Sequence, residues 1–107
     1  MQFQLSGQQI EVTEALRNHT TAKIDRLTRL DDKIISLVIV LSIDKLQQCA
    51  EGTLGVSGAI LHAEAAGPDM YGSIDVVFDK LVHQLQKHRE KMSDKHQREA
   101  RAERQYG

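Results

Sequence analysis

Two stretches of the chain have the hydrophobic pattern of β-strands. Residues 2–6 alternate between polar and apolar side chains and place Phe3 and Leu5 on one side, which predicts a short strand with one buried face. Residues 34–43 are rich in β-branched side chains and are apolar on both faces in the middle of the run. This second pattern is typical of a central strand in a sheet.

A hairpin is predicted further along the chain. Residues 53–56 and 59–65 contain β-branched or small apolar side chains and flank Ser57-Gly58, a pair that suits a tight turn. The preceding segment, residues 44–50, is mostly polar. We expect this segment to form a loop or the fraying end of a strand.

The first helix is predicted to start at Glu14. Thr13 is a favourable N-cap, and the carboxylate of Glu14 suits the positive end of the helix dipole. Asp31-Asp32 is unfavourable at the opposite end of that dipole and indicates a turn. Residues at helical spacing between these limits form one packing stripe, composed of Leu16, Thr20, Ile24, Leu27 and Leu30.

A long second helix is predicted after the break at Gly67-Pro68-Asp69. Its packing stripe recurs at steps of three and four residues, at Met70, Ile74, Val77, Phe78, Leu81, Leu85, His88 and Met92. Beyond that point the chain is charged and polar. We therefore assign residues 1–92 to a folded domain and residues 93–107 to a basic, polar C-terminal tail, either a frayed helix or disordered.

The predicted element order is β-α-β-β-β-α. Two helices and a mostly antiparallel, four-stranded sheet make a two-layer α+β domain, with both helices packed on one face of the sheet. The first helix connects its two strands in the manner of a parallel crossover. The α-β-β-β-α part has the element order of double-stranded-RNA-binding domains, so a general duplex-RNA-binding module is one interpretation of the fold.

Composition excludes several classes of protein. The 107 residues suit one domain, and the single cysteine cannot form an internal disulfide. No basic-then-apolar signal segment stands at the start, and no apolar run approaches about 18 residues. Export and membrane spanning are therefore not expected.

The formal net charge of −1 is unevenly distributed along the chain. Residues 1–79 contain six basic and eleven acidic residues, a balance of −5. Residues 80–107 contain eight basic and four acidic residues, a balance of +4. Such asymmetry indicates an anionic partner without identifying it.

Basic side chains are sorted on both predicted helices. On a helical wheel, the second helix has a basic stripe apart from its apolar one, formed by Lys80, His83, Lys87 and Lys91. The outer face of the first helix has a second group, formed by Arg26, Arg29 and Lys33, with Lys23 at its border. If both helices cover the same side of the sheet, we expect one continuous basic surface, which suits a phosphate backbone. A solvated face is the plainer explanation of either group alone.

No catalytic, cofactor or metal site is predicted. His62 and His83 are candidates for the acid–base pair of an RNA-cleaving enzyme, but no nucleophile or orienting carboxylate lies at a recognisable spacing. His88 continues the apolar stripe, and we expect it to be packed or hydrogen-bonded. Cys49 has no second sulfur or histidine at ligand spacing, and the glycines form no phosphate-binding loop.

Several motifs together resemble the ribosome hibernation promoting factors. The run DMYGSID at residues 69–75 is followed by Asp79-Lys80-Leu81, Gln84-Leu85 and Lys87-His88-Arg89, as in the second-helix signature of that family. The start of the chain also fits the family, at Gly7, the run IEVTEALR at residues 10–17, Ala22-Lys23 and Leu27. Residues 56–63 are similar to the third and fourth strands of the family. The resemblance covers roughly residues 1–92.

The resemblance implies a non-enzymatic, cytoplasmic, ribosome-associated factor. Such a factor binds the small ribosomal subunit and its rRNA in the mRNA and tRNA channel at the A and P sites. There it inhibits translation and promotes inactive ribosome dimers in stationary phase, together with ribosome modulation factor. No cofactor, membrane or small-molecule substrate is implied, and we expect a monomer off the ribosome.

The resemblance also implies contact residues for rRNA, which in the family are basic residues of both helices. Carried over by position, they are Lys23, Arg26, Lys80, Lys87, Arg89 and Lys91, with Arg17, Arg29, Lys33 and His83 as further candidates. The sequence departs from the family at residues 28–31, which lack the aromatic residue often found there. It also has His83 where arginine is common, and it adds Asp25 to the first basic face.

The chain ends at Gly107 without the C-terminal dimerisation domain of long members, so the resemblance is to the short form. A related subgroup, protein Y, keeps ribosomes as inactive monomers and often has an acidic tail. Here residues 94–107 contain four basic residues against three acidic ones. This balance favours the dimer-promoting subgroup, with the protein Y-like function as the alternative.

Overall fold

The structure, a computed structural model, describes the backbone of residues 1–31 and 33–106 and the side chains of residues 1–31 and 33–91. The element order confirms the predicted β-α-β-β-β-α fold. The elements are β1 (Gln2–Gly7), α1 (Glu14–Leu30), β2 (Ile34–Asp44), β3 (Gln47–Val56), β4 (Ala59–Gly67) and α2 (Met70–Tyr106). The predicted division of the chain at residue 92 stays a prediction, since the side chains of residues 92–107 lie outside the described ones.

The four strands form one sheet in the order β1-β2-β3-β4. β1 pairs with β2 in parallel, as the crossover through α1 predicts, and the remaining pairs are antiparallel. β2 therefore has a neighbour on each side, which confirms it as a central strand. The register places Ile39 opposite Leu5 on one side and opposite Gly52 on the other.

The core lies between one face of the sheet and the two helices. Alternate strand residues such as Ile39, Leu41 and Leu54 are fully buried, as are Phe78 and Leu81 on α2. The opposite face of the sheet is not covered by either helix, and the outward residues of β3 and β4, including Glu51, His62 and Glu64, are exposed. The predicted two-layer arrangement is thus confirmed.

The prediction that residues 44–50 form a loop or the fraying end of a strand is wrong for most of this segment. Only Lys45 and Leu46 lie in the turn, and β3 begins at Gln47, whose register partner is Asp44. Lys45 and Leu46 have φ values of 50° and 71°. A two-residue hairpin turn of type I′ needs positive φ at both central positions and normally selects Asn or Gly for them. Because Lys-Leu has neither, the sequence gives no turn signal here.

Both helix starts are capped, that of α1 by the predicted Thr13. The backbone N–H of Leu16 donates to the Thr13 hydroxyl at 3.2 Å, and the Asp69 carboxylate accepts from the N–H of Gly72 at 3.2 Å. Ser73, which is buried, then donates its hydroxyl to the carbonyl of Gln48 at 2.7 Å. This hydrogen bond fastens the first turn of α2 to the start of β3. Within the part of the chain that the structure describes, neither helix has the length and hydropathy of a membrane-spanning segment.

Gly52 sets how closely α2 approaches the sheet. A Cβ at this position would lie 2.9 Å from Val77 Cγ1, 3.0 Å from Ile39 Cδ1 and 3.1 Å from Leu81 Cδ1. These distances are shorter than normal carbon–carbon contact, so the missing side chain is what allows α2 to seat on β3.

Replacing Gly52 is therefore expected to destabilise the fold. We expect Gly52→Val to lower the free energy of unfolding by about 1–3 kcal/mol, since the added methyl groups overpack a dry contact. Urea denaturation measures this change. The matched control is Thr53→Val, at the next position of β3 on the open face, with an expected change within about 0.5 kcal/mol. Equal stabilities for the two variants would contradict the close approach of α2.

Candidate nucleic-acid interface

The two helices are joined by a row of ion pairs along their contact. Asp75 accepts from His19 Nε2 at 2.6 Å and from Lys23 Nζ at 3.3 Å, and Asp79 accepts from Arg26 Nη1 at 3.2 Å. The ring of Tyr71 packs edge-on against His19 with a centroid distance of 5.1 Å. We call these pairs the interhelix seam. Two of the predicted contact residues, Lys23 and Arg26, are therefore held by carboxylates of the protein itself.

The seam changes the titration of Asp75. Partial burial acts to raise the pKa of this carboxyl, but the hydrogen bonds and positive charges of His19 and Lys23 outweigh burial. The pKa of Asp75 therefore lies below its ordinary value of 3.8. Because a lowered pKa means that the carboxylate is favoured in the folded state, the seam stabilises the packing of α1 on α2 near neutral pH.

A second row of polar side chains on α2 reaches the edge strand β4. Lys80 Nζ donates to the carbonyl of Glu64 at 2.9 Å, and Gln84 Nε2 donates to the carbonyl of His62 at 2.8 Å. His88 Nε2 lies 3.1 Å from the carbonyl of Ser57 in the β3–β4 turn. These three residues, one helical turn apart, are the edge row. The expectation that His88 is a hydrogen-bonded residue is confirmed. Lys80, a predicted rRNA contact, is hydrogen-bonded to a backbone carbonyl of the protein itself.

The outer part of α2 carries the remaining members of its basic stripe. His83, Lys87 and Lys91 are exposed. Among the described side chains, none of the three takes part in an ion pair, in contrast to Lys23 and Arg26. By helical spacing, Lys87 and Lys91 lie on the same flank as Lys80, which is the flank facing β4. Their charges are therefore more available to an external anion than those of Lys23 and Arg26.

The other predicted contacts lie on or beside α1. Arg17 is exposed in the first turn of that helix, while Arg29 and Lys33 are exposed at its C-terminal end. Arg89 on α2 lies near Arg29 and Lys33, since its Nη1 donates to the carbonyl of Leu30. The C-terminal end of α1 therefore collects cations from both helices.

The helices share one side of the sheet, but their basic groups do not form one uninterrupted surface. The stripe of α2 lies on its β4 flank, whereas the seam places Asp75 and Asp79 on its α1 flank. The two aspartates are at a separation of four, the spacing that puts side chains on one helix face. On the helical wheel they already stand apart from the basic stripe. Their partners on α1, 52 to 56 residues earlier in the chain, cannot be identified from that spacing.

The two histidines considered for catalysis lie on different surfaces. His62 is on the open face of the sheet, where its Nδ1 is 3.2 Å from the Thr53 hydroxyl and its Nε2 is 3.4 Å from Glu51 Oε1. His83 is on the outer face of α2. The structure does not bring the two imidazoles together as an acid–base pair.

Comparison with known proteins identifies the family. A family model described as Sigma 54 modulation protein / S30EA ribosomal protein matches residues 3–93. The chain belongs to this family. The ribosome hibernation promoting factor of Azotobacter vinelandii is 46% identical over 97 residues, which are 91% of this chain and 91% of that protein. The factor of the same name from Escherichia coli (strain K12) is 42% identical over 92 residues, 86% of this chain and 97% of that protein.

Solved structures of similar proteins have the same fold. A ribosomal subunit interface protein from Coxiella burnetii has a TM-score of 0.81 at 32% identity and covers 85% of this chain and 100% of its own. The N-terminal domain of Protein Y from Thermus thermophilus has a TM-score of 0.76 at 29% identity, covering 82% of this chain and 99% of its own. The predicted identification of the family is confirmed.

Membership of the Sigma 54 modulation protein / S30EA family supports a role in ribosome hibernation. Such a role implies a ribosomal partner in the cytoplasm. The names of the relatives describe a factor that promotes ribosome hibernation and indicate no catalytic activity. The individual contact residues stay predictions.

The seam generates a pH-dependent prediction. We expect Asp75→Asn to lower the free energy of unfolding by about 0.5 kcal/mol near pH 7, a modest value because the pair is partly exposed. The stabilisation is present above the ordinary pKa of Asp75 and is lost as the pH falls through its lower, folded value. At a pH below that folded value the variant and the parent are therefore expected to converge. Urea denaturation at the two pH values measures the difference.

The control for this comparison is Asp44→Asn. Asp44 is exposed at the end of β2 and takes part in no ion pair among the described residues. It is expected to change stability little at either pH. A destabilisation by Asp75→Asn that is equally large at both pH values would mean that the seam acts through packing and not through charge.

Proposed function

We propose that the protein binds the small ribosomal subunit in the mRNA and tRNA channel, at the A and P sites, and holds the ribosome inactive. The observation that carries this proposal is the exposed stripe on α2, in which Lys87 and Lys91 have no carboxylate partner among the described side chains. The names of the relatives, ribosome hibernation promoting factors, support a ribosome as the binding partner.

The stripe is suited to a phosphate backbone. Lys87 and Lys91 are one turn apart, so their charges are offset by roughly 6 Å along the helix axis. Each lysine that approaches a phosphate releases condensed counterions, and this release supplies affinity without base recognition. Phe78 is buried, Phe3 packs against the core, and the exposed Tyr71 lies edge-on against His19, so the described residues offer few aromatic rings for base stacking. Shape-led recognition of folded RNA fits this surface better than single-strand binding.

The seam ranks the contributions of the predicted contacts. A phosphate that approaches Lys23 or Arg26 has to replace Asp75 or Asp79 as the partner of that cation. The gain of the new contact is then partly offset by the loss of the existing one. We therefore expect Lys87 and Lys91 to contribute more per residue to ribosome affinity than Lys23 and Arg26.

This ranking is tested by the salt dependence of binding to isolated small subunits. We expect the double variant Lys87→Gln, Lys91→Gln to bind more weakly, with a slope of log affinity against log salt that is shallower by about two. Lys45→Gln is the matched control, since Lys45 is exposed in the β2–β3 turn, away from both helices' basic groups. Cosedimentation at several salt concentrations measures both quantities.

Two outcomes of the same series count against the proposal. An unchanged slope in the double variant would remove the α2 stripe from the interface. Equal affinity of the parent protein for small subunits and for a plain RNA duplex would favour a general duplex-RNA-binding module, the function that the α-β-β-β-α order also suits. Blocking of binding by an occupied P site would support the proposed position in the channel.

We further propose that the protein promotes inactive ribosome dimers in stationary phase, together with ribosome modulation factor, and is itself a monomer off the ribosome. The name "ribosome hibernation promoting factor" of both curated relatives supports this choice. The similarity to a Protein Y domain supports the alternative, a factor that keeps ribosomes as inactive monomers.

Sucrose-gradient sedimentation of purified ribosomes separates the two. With the protein and ribosome modulation factor together, we expect a dimer peak that neither factor alone produces to the same extent. Monomeric ribosomes that no longer translate and do not dimerise when modulation factor is added would establish the protein Y-like function.

A further inference from the structure

A cleft of about 530 Å³ opens where three elements meet, at the C-terminal end of α1, the β3–β4 turn and the middle of α2. Its volume lies within the range of roughly 300–1,000 Å³ that is common for small-ligand sites. The cleft is separate from the interhelix seam, and only His88 of the edge row lines it.

The walls of the cleft are held by two neighbouring residues of α2. Arg89 donates to the carbonyl of Leu30 at the end of α1, and His88 bonds to the carbonyl of Ser57 in the β3–β4 turn. Each wall is thus fixed to the same turn of one helix. A cleft with walls held in this way is preformed, so a ligand does not have to order them.

The charges that line the cleft favour an anion. Arg29, Lys33 and Arg89 line it and are exposed, and among the lining residues that the structure describes, which do not include residue 32, the carboxylate is that of Asp31. Asp31 Oδ1 already accepts the backbone N–H of Lys33 at 2.8 Å. No ion pair among the described residues involves these three cations, although Arg26, one turn before Arg29, is paired. A guanidinium has five N–H donors, so Arg89 keeps donors beyond the one used on Leu30.

The cleft also has an apolar part. Val56 is only 6% exposed, and Leu30 is half-buried beside it. An inorganic anion would use the cations and leave this part in contact with water, while an apolar ligand would leave the cations without a partner. A ligand that satisfies both parts has an anionic group attached to a flat, largely apolar body. Arginine side chains commonly stack on such bodies when these are nucleobases.

We infer that this cleft binds a single unstacked nucleotide, with its phosphate at Arg29 and Lys33 and its base against Leu30 and Val56. Two sources supply this chemistry. One is an unpaired nucleotide of rRNA, in which case the inference rests on the proposed function. The other is a free nucleotide in solution, in which case the cleft is a regulatory site on a ribosome-binding factor.

The first experiment uses the isolated full chain and adenosine monophosphate as the probe. Amide signals of residues 29–33, 56–57 and 88–89 are followed by NMR during titration, with adenosine and inorganic phosphate as separate titrants. We expect saturable shifts at these residues and an affinity for the nucleotide about tenfold or more above that for either part alone.

Two variants test the two parts of the cleft. Arg29→Gln combined with Lys33→Gln removes the phosphate contacts and is expected to weaken nucleotide binding by about tenfold or more. Ser57→Leu narrows the cleft without a change of charge and keeps the backbone carbonyl that His88 binds. This variant is also expected to weaken nucleotide binding by about tenfold or more. Lys45→Gln and Ser42→Leu are the matched controls, because both positions lie toward the opposite end of β2, and they are expected to bind as the parent does.

The second experiment distinguishes the sources by cosedimentation with small subunits. If Ser57→Leu weakens ribosome binding relative to Ser42→Leu, the nucleotide comes from rRNA. If Ser57→Leu binds ribosomes as the parent does but loses adenosine monophosphate, the nucleotide is a free one. Both results support the cleft.

The inference is overturned if Ser57→Leu changes neither nucleotide nor ribosome binding, or if the parent binds adenosine monophosphate no better than phosphate and Ser57→Leu binds ribosomes normally. Failure of the parent chain to bind ribosomes at all is a different result. It would remove the proposed function and leave the cleft to be judged by the NMR titration alone.

Discussion

Burial of one face of α2 against β3 and β4 is the interaction on which the other contacts of the structure depend. Phe78, Leu81 and Leu85 are almost completely buried on this face, and Gly52 lets the helix lie close to the sheet. Once this face is fixed, the two flanks of α2 have fixed directions. One flank meets α1 through Asp75 and Asp79, and the other meets β4 through Lys80 and Gln84. The positions of the described basic groups on α2 follow from this one packing contact.

Hydrophobic periodicity predicts most of the fold because the elements are long and regular. The apolar stripe of α2 and the β-branched run of β2 identify a helix and a central strand without reference to tertiary structure. The start of β3 could not be predicted in the same way. Lys45-Leu46 adopts positive φ values that neither residue favours, so the pairing of β2 with β3 along their length decides the turn and the propensity of the turn residues does not.

The candidate site is less predictable than the fold, since it depends on pairs that are far apart in sequence. Spacing along α2 sorts Lys87 and Lys91 onto one flank, and the structure keeps them there. Spacing gives no information on whether a basic side chain already has a hydrogen-bond or ion-pair partner within the protein. Arg26 faces Asp79, Lys80 faces a backbone carbonyl and Arg89 faces the end of α1. Basic residues that look equivalent on a helical wheel therefore differ in how much charge they can offer to an RNA.

The edge row has a consequence for the behaviour of the chain at high concentration. The free edge of a sheet is a template on which the strand of another molecule can add, and such addition leads to aggregation. Lys80 and Gln84 already occupy two carbonyls of β4 that an incoming strand would need. Lys80 and Gln84, which belong to the family signature of the second helix, therefore limit the addition of a further strand at the β4 edge.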